Sequence, residues 1–125
     1  FAPSAVLMRR ELMAKTGLWN TSLKSPAEDF DFFRRCVKFG SVTQTDKVLV
    51  VHRNHNQSTT SSGLSRYFAD NVRAVRLMLD EDRELIDAKK RVKIWFKLHK
   101  GYLAYSIKFG KYKFTLSVIK HFFLF

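Results

Sequence analysis

Cysteine is nearly missing from this chain. The single Cys36 among 125 residues excludes an internal disulfide and any zinc site built on several thiolates, a composition that suits a reducing compartment. Two prolines and five glycines enforce few breaks, and there are no repeats or low-complexity tracts. No apolar run approaches the roughly 20 residues that a membrane-spanning helix needs, because Lys or Arg interrupts every one. A signal peptide is also lacking, since Ala5-Val6-Leu7-Met8 is too short and follows Pro3. The chain opens on Phe1 rather than on methionine, which reads as a start inside a longer protein. Acids are scarce as well: 11 Asp and Glu stand against 23 Lys and Arg, for a net charge of +12.

A hydrophobic content of 46% over this length allows one modest core, so the chain reads as one domain or a piece of one. The charge is uneven. Residues 1 to 82 sum to +3 and residues 83 to 125 to +9, which points the tail at an anionic partner, a membrane surface or nucleic acid.

Local patterns divide the chain near residue 63. Ala5 to Met8 and Lys47-Val-Leu-Val-Val-His52 have the apolar, β-branched character of strands, and Arg9 to Lys15 reads as a short helix ended by Gly17. Ser25-Pro26-Ala27-Glu28 is a helix start, with serine as N-cap, proline at the first helical position and glutamate placed to close a capping box. Phe30, Phe33 and Val37 then follow at helical spacing, and Gly40 stops the helix. Asn54 to Gly63 is a polar loop. Beyond it the chain turns helical: Phe68, Val72, Val75 and Leu79 mark one helix, about Leu85 to Phe109 a longer one, and Phe114, Val118, Phe122 and Phe125 a last one after Gly110. The expected fold is therefore an α+β fragment, with short strands and helices over 1–63 and a basic helical extension over 64–125.

Chemistry concentrates in two places. Glu28, Asp29 and Asp31 sit at the head of a helix whose dipole favours their ionised form, so Asp29 is a candidate general base. Twenty-one residues after Asp31, His52-Arg53-Asn54-His55 offers imidazoles and a guanidinium suited to a metal ion or a phosphate. A structural reading stands beside each: first-turn acids complement a helix N-terminus, Glu28 serves as a capping partner, and His52 serves as a core histidine. Arg34 and Arg35 read as a solvated helix face, Cys36 as a small buried hydrophobe, and Trp19 with the phenylalanines as core.

Four segments in register, Ser4-Ala-Val-Leu-Met-Arg-Arg-Glu-Leu-Met, Thr16-Gly-Leu-Trp-Asn20, Glu28-Asp-Phe-Asp31 and Val51-His-Arg-Asn-His55, resemble the second half of a family 2 glycosyltransferase of the GT-A fold. The resemblance covers about residues 1 to 60. It implies an inverting transfer of a sugar from a nucleotide-sugar donor to a hydroxyl of a saccharide or lipid-linked acceptor, in the setting of bacterial surface polysaccharide biosynthesis at the cytoplasmic face of the membrane. Asp29 would be the base, with Glu28, Asp31 and Trp19 supporting the acceptor site. His55, His52 and Arg53 would contact a divalent metal (Mn or Mg) or the diphosphate of the full-length enzyme. The donor-binding half and its Asp-x-Asp motif are absent, so this fragment is expected to be inactive alone, to hold no metal, and to self-associate through an uncovered sheet edge. The alternative is a non-catalytic basic helical module binding nucleic acid or anionic surfaces. For the tail itself, peripheral membrane contact through Phe122, Phe123 and Phe125 stands against packing of its apolar faces on the catalytic domain or on a second copy.

Overall fold

The computed structural model describes residues 3–24, 27–51, 53 and 67–123, and among them the regular structure is helical. Five α-helices follow a short 3-10 turn at Pro3–Ala5: α1 (Arg10–Thr16), α2 (Ala27–Cys36), α3 (Phe68–Glu81), α4 (Ala88–Lys108) and α5 (Tyr112–Phe122). This corrects the expected α+β fragment with short strands, since no strand occurs among the described residues. Residues 6–9 and 47–51 run as irregular chain, with Leu7 99%, Val48 88% and Val51 91% exposed. β-Branched composition sets only a local preference; a strand also needs a partner to pair its backbone and cover one face, and among the described residues neither segment has one.

The helices form where local signals agree with packing. Gly17, with φ +80°, ends α1, and its N–H bonds the Met13 carbonyl at 3.0 Å. That positive φ is open to glycine at no steric cost. The Asp87 carboxylate caps α4 by accepting the Lys90 N–H at 2.8 Å, which sets the start three residues beyond Leu85. Gly110, with φ +62°, turns the chain between α4 and α5. The capping residues Ser25 and Pro26 lie outside the described residues.

Two apolar clusters share α3. Phe68, Val72, Val75 and Leu79 pack with Trp95 and Tyr102 of α4 and Val118 of α5, joined by Phe114 and Phe122. Edge-to-face rings tie this cluster together, Phe68 lying 4.8 Å from Tyr102 and 5.3 Å from Phe114. The second, smaller cluster sets Ala74 and Leu77 of α3 against Leu23 and Ala27 at the head of α2. Side chains three and four residues apart share a helix face, which is why the α3 pattern read from sequence matches the buried positions and, in α5, Val118 is buried with Phe114 and Phe122 packed beside it, Phe125 lying outside the described residues. The α2 pattern does not match. Phe30 and Val37 are 42% and 55% exposed, and the inward face is Ala27, Asp31, Phe32 and Cys36. Cys36 is a buried free thiol, as its small apolar character suggests. Among the described residues no helix is long and apolar enough to cross a membrane.

Candidate functional site

The site grows from α2. An aspartate on the inward face of a helix needs cationic partners, because burying an unpaired carboxylate is costly. Asp31, 2% exposed, has two of them one turn along: Arg34 Nη2 at 2.8 Å and Arg35 Nε at 3.0 Å. Each guanidinium then reaches a second element. Arg34 donates to Asp82 at 2.9 Å and to Glu81 at 2.6 Å at the end of α3, where Lys38 also pairs with Asp82. Arg35 donates to the backbone carbonyls of Thr16 (2.6 Å) and Leu18 (2.8 Å). The turn after α1 is thereby stapled to α2, and α2 to α3.

The stapled turn carries Trp19. Its indole stacks on Phe32 with centroids 4.1 Å apart and an interplanar angle of 23°, and meets Phe33 edge-on at 6.0 Å. The residue stays 39% exposed, so it is a surface platform anchored to α2 rather than core. Asn20 orders the following residues by accepting the Ser22 N–H at 3.1 Å.

Glu28 and Asp29 occupy the first turn of α2, both half-buried. Burial pushes the Asp29 carboxyl above its ordinary value. The Glu28 carboxyl also rises, first through burial and then through the charges of Asp29 and Asp70, against a lowering backbone hydrogen bond. The two raised carboxyl groups are adjacent in the chain. Asp31, by contrast, is engaged by the guanidinium groups of Arg34 and Arg35. Asp82 behaves in the opposite way to Asp29: burial alone would raise it, but hydrogen bonds from Lys38 and Arg34 outweigh that and hold it below the usual carboxylate range.

Of the residues expected to meet a metal or diphosphate, Arg53 alone lies among the described residues. Arg53 is exposed on irregular chain, and His52 and His55 lie outside the described residues. Among the described residues no group of three His, Cys, Asp or Glu side chains is arranged to hold a metal ion. The acids that do gather, Asp31, Glu81 and Asp82, are engaged by Arg34, Arg35 and Lys38.

Arg34 and Arg35 are the residues that the sequence reading missed. The Arg34 side chain is 7% exposed and that of Arg35 20%, so neither is a solvated face. The signal available was Asp31-x-x-Arg34-Arg35, which puts one acid within reach of both cations at i+3 and i+4. Comparison with models of protein families, with curated protein sequences and with solved structures gave no match to this chain.

Proposed function

We propose that the α1–α2 region is the acceptor side of an inverting glycosyltransferase, with Asp29 as its general base. The observation that carries the reading is the adjacent pair Glu28 and Asp29 at the head of α2, whose carboxyl groups are pushed upward by burial and left free of the ion pairs that engage Asp31. A base with its pKa raised toward the working pH accepts a proton more readily than an ordinary carboxylate. In the transfer, the acceptor oxygen bonds the anomeric carbon as the bond from that carbon to the diphosphate breaks, and the hydroxyl proton goes to an Asp29 Oδ atom.

The other residues have supporting parts. Part of the Trp19 indole remains open to receive the C–H face of a sugar ring, while Phe32 covers its other side. Asp31 works through Arg34 and Arg35 to fix α2 and the Trp19 turn in one frame. On the departing side, Arg53 with His52 and His55 would meet the diphosphate, together with a separate nucleotide-binding part. The setting implied by the resemblance is assembly of a surface polysaccharide from the cytoplasmic face of a bacterial membrane.

The test is sugar transfer by the full-length protein. Asp29→Asn is expected to lower kcat by about 100-fold or more with the donor KM within about twofold, because the proton moves in the transition state and not on donor binding. It should leave the melting temperature unchanged or raise it, since the lost carboxylate is one that burial disfavours. Retention of more than about a tenth of the wild-type rate would rule Asp29 out as the base.

A further inference from the structure

α5 is amphipathic twice over. Phe114, Val118 and Phe122 face the core, Val118 being 1% exposed, while Tyr112, Leu116, Ile119 and Phe123 recur at intervals of four, three and four residues on the opposite side. These four are 79%, 68%, 42% and 78% exposed. Positions so spaced fall within a narrow arc of a helix surface, so they form a continuous apolar stripe that the core has no use for. α4 carries a second stripe, Val92, Phe96 and Ile107, at 57%, 53% and 64% exposure. Phe122 links them, its ring lying 6.2 Å from Phe96 and 5.4 Å from Phe123.

The charge around these stripes has one sign. Residues 88–123 contain ten Lys and Arg and no acid. Lys113 and Lys120 border the α5 stripe, and Lys89, Lys93 and Lys100 border that of α4, all exposed. We propose that this outer face of the α4–α5 hairpin docks on an anionic lipid bilayer, the stripes entering the interface while the lysines meet the headgroups. The inference is independent of the glycosyl-transfer reading. With no described helix able to cross a membrane, the hairpin lies on the surface. It also replaces the expected contact through Phe122, whose backbone carbonyl accepts the Trp95 Nε1–H at 3.1 Å and whose ring packs inward.

Charge complementarity selects this occupant. A second copy set face to face would bring lysines against lysines with no acid between them. A nucleic acid would engage the lysines but leave Leu116, Ile119, Val92 and Ile107 in water, because stacking on bases needs rings. A bilayer with anionic headgroups takes both.

Co-sedimentation with vesicles of phosphatidylcholine alone, and with about one third phosphatidylglycerol, tests this. Binding is expected to the anionic vesicles only, at least about tenfold weaker in 0.5 M than in 0.1 M salt as screening shortens the reach of the lysines. The double variant Leu116→Glu with Ile119→Glu should lose at least about tenfold in binding with an unchanged helical circular dichroism spectrum, whereas Leu7→Glu, more exposed still but distant in sequence, should bind as wild type. Equal binding to both vesicle types would overturn the proposal. So would anionic binding indifferent to the double variant, tighter binding to a single-stranded oligonucleotide than to vesicles, or a dimer in solution that the double variant abolishes.

Discussion

His99 is the residue with the least comfortable surroundings in the molecule. It is 3% exposed among the rings of Phe68, Trp95 and Phe122. Nδ1 donates to the Trp95 carbonyl at 3.0 Å, while Nε2 is buried with no partner among the described residues. Burial pushes the imidazole below its ordinary value; the bond to Trp95 opposes this, and His121, edge-on to the same Phe68 ring, adds to it. The sign follows directly. A histidine lowered in the folded state is protonated more readily when unfolded, so the stability that its neutral form supports is complete above the ordinary value of 6.5 and is lost as pH falls from there to the folded value. The melting temperature is expected to drop between pH 7 and pH 5, and His99→Gln to flatten that drop. An equal slope in the variant would assign the pH dependence to other groups.

Between elements, the junction of α2 with α3 rests on charge more than on apolar area. The cluster beneath it consists of Leu23, Ala27, Ala74 and Leu77, whereas Arg34 joins Asp31 to Glu81 and Asp82. Arg34→Met removes the guanidinium and leaves the buried Asp31 with Arg35 alone and Asp82 with Lys38 alone. Breaking a buried network by deleting one partner is destabilising by about 3 kcal/mol or more, and urea unfolding measures it. Arg34→Lys should recover little, since a point charge cannot fork to three carboxylates; a loss under about 1 kcal/mol for either variant would show the junction to be held by something else. This junction also marks how far sequence alone could be read. The apolar spacing of Phe68, Val72, Val75 and Leu79 declares the buried face of α3, and Phe114, Val118 and Phe122 that of α5, because there the inward residues are the hydrophobic ones. In α2 an inward position is Asp31, which hydropathy assigns to solvent, and its partners Glu81 and Asp82 lie 47 and 48 residues from Arg34. Contacts that distant leave no local trace. The acid pair Glu28 and Asp29 was legible because composition and helix start coincide, whereas the anchoring of Trp19 by Arg35 was not. The strands failed for a like reason: Val48 to Val51 hold the preference, but pairing is not a local property.

For the whole molecule, the described helices pack as neighbours in chain order, α1 on α2, α2 on α3, α3 on α4 and α4 on α5. That arrangement bears on the order in which the chain assembles. The connections within α3 to α5 are short, residues 82–87 and 109–111, and α4 meets α5 through pairs such as Thr115 with Ser106, nine residues apart, and Trp95 with Phe122, 27 apart. Docking α2 must close loops of 47 to 51 residues, from Arg34 to Glu81 and from Ser22 to Arg73, for a smaller apolar return. Loop closure grows slowly in entropy, yet it must be met before a distant contact rewards it. The three C-terminal helices are therefore expected to form first and to open last, as a cooperative unit distinct from α2. Native-state hydrogen exchange should find the α2 amides exchanging at a lower opening free energy than those of α4, and equal values would mean a single cooperative unit. On this ordering Asp29 rides on the segment that detaches most easily, so the carrier of the proposed base could come and go while the basic hairpin remained folded beneath it.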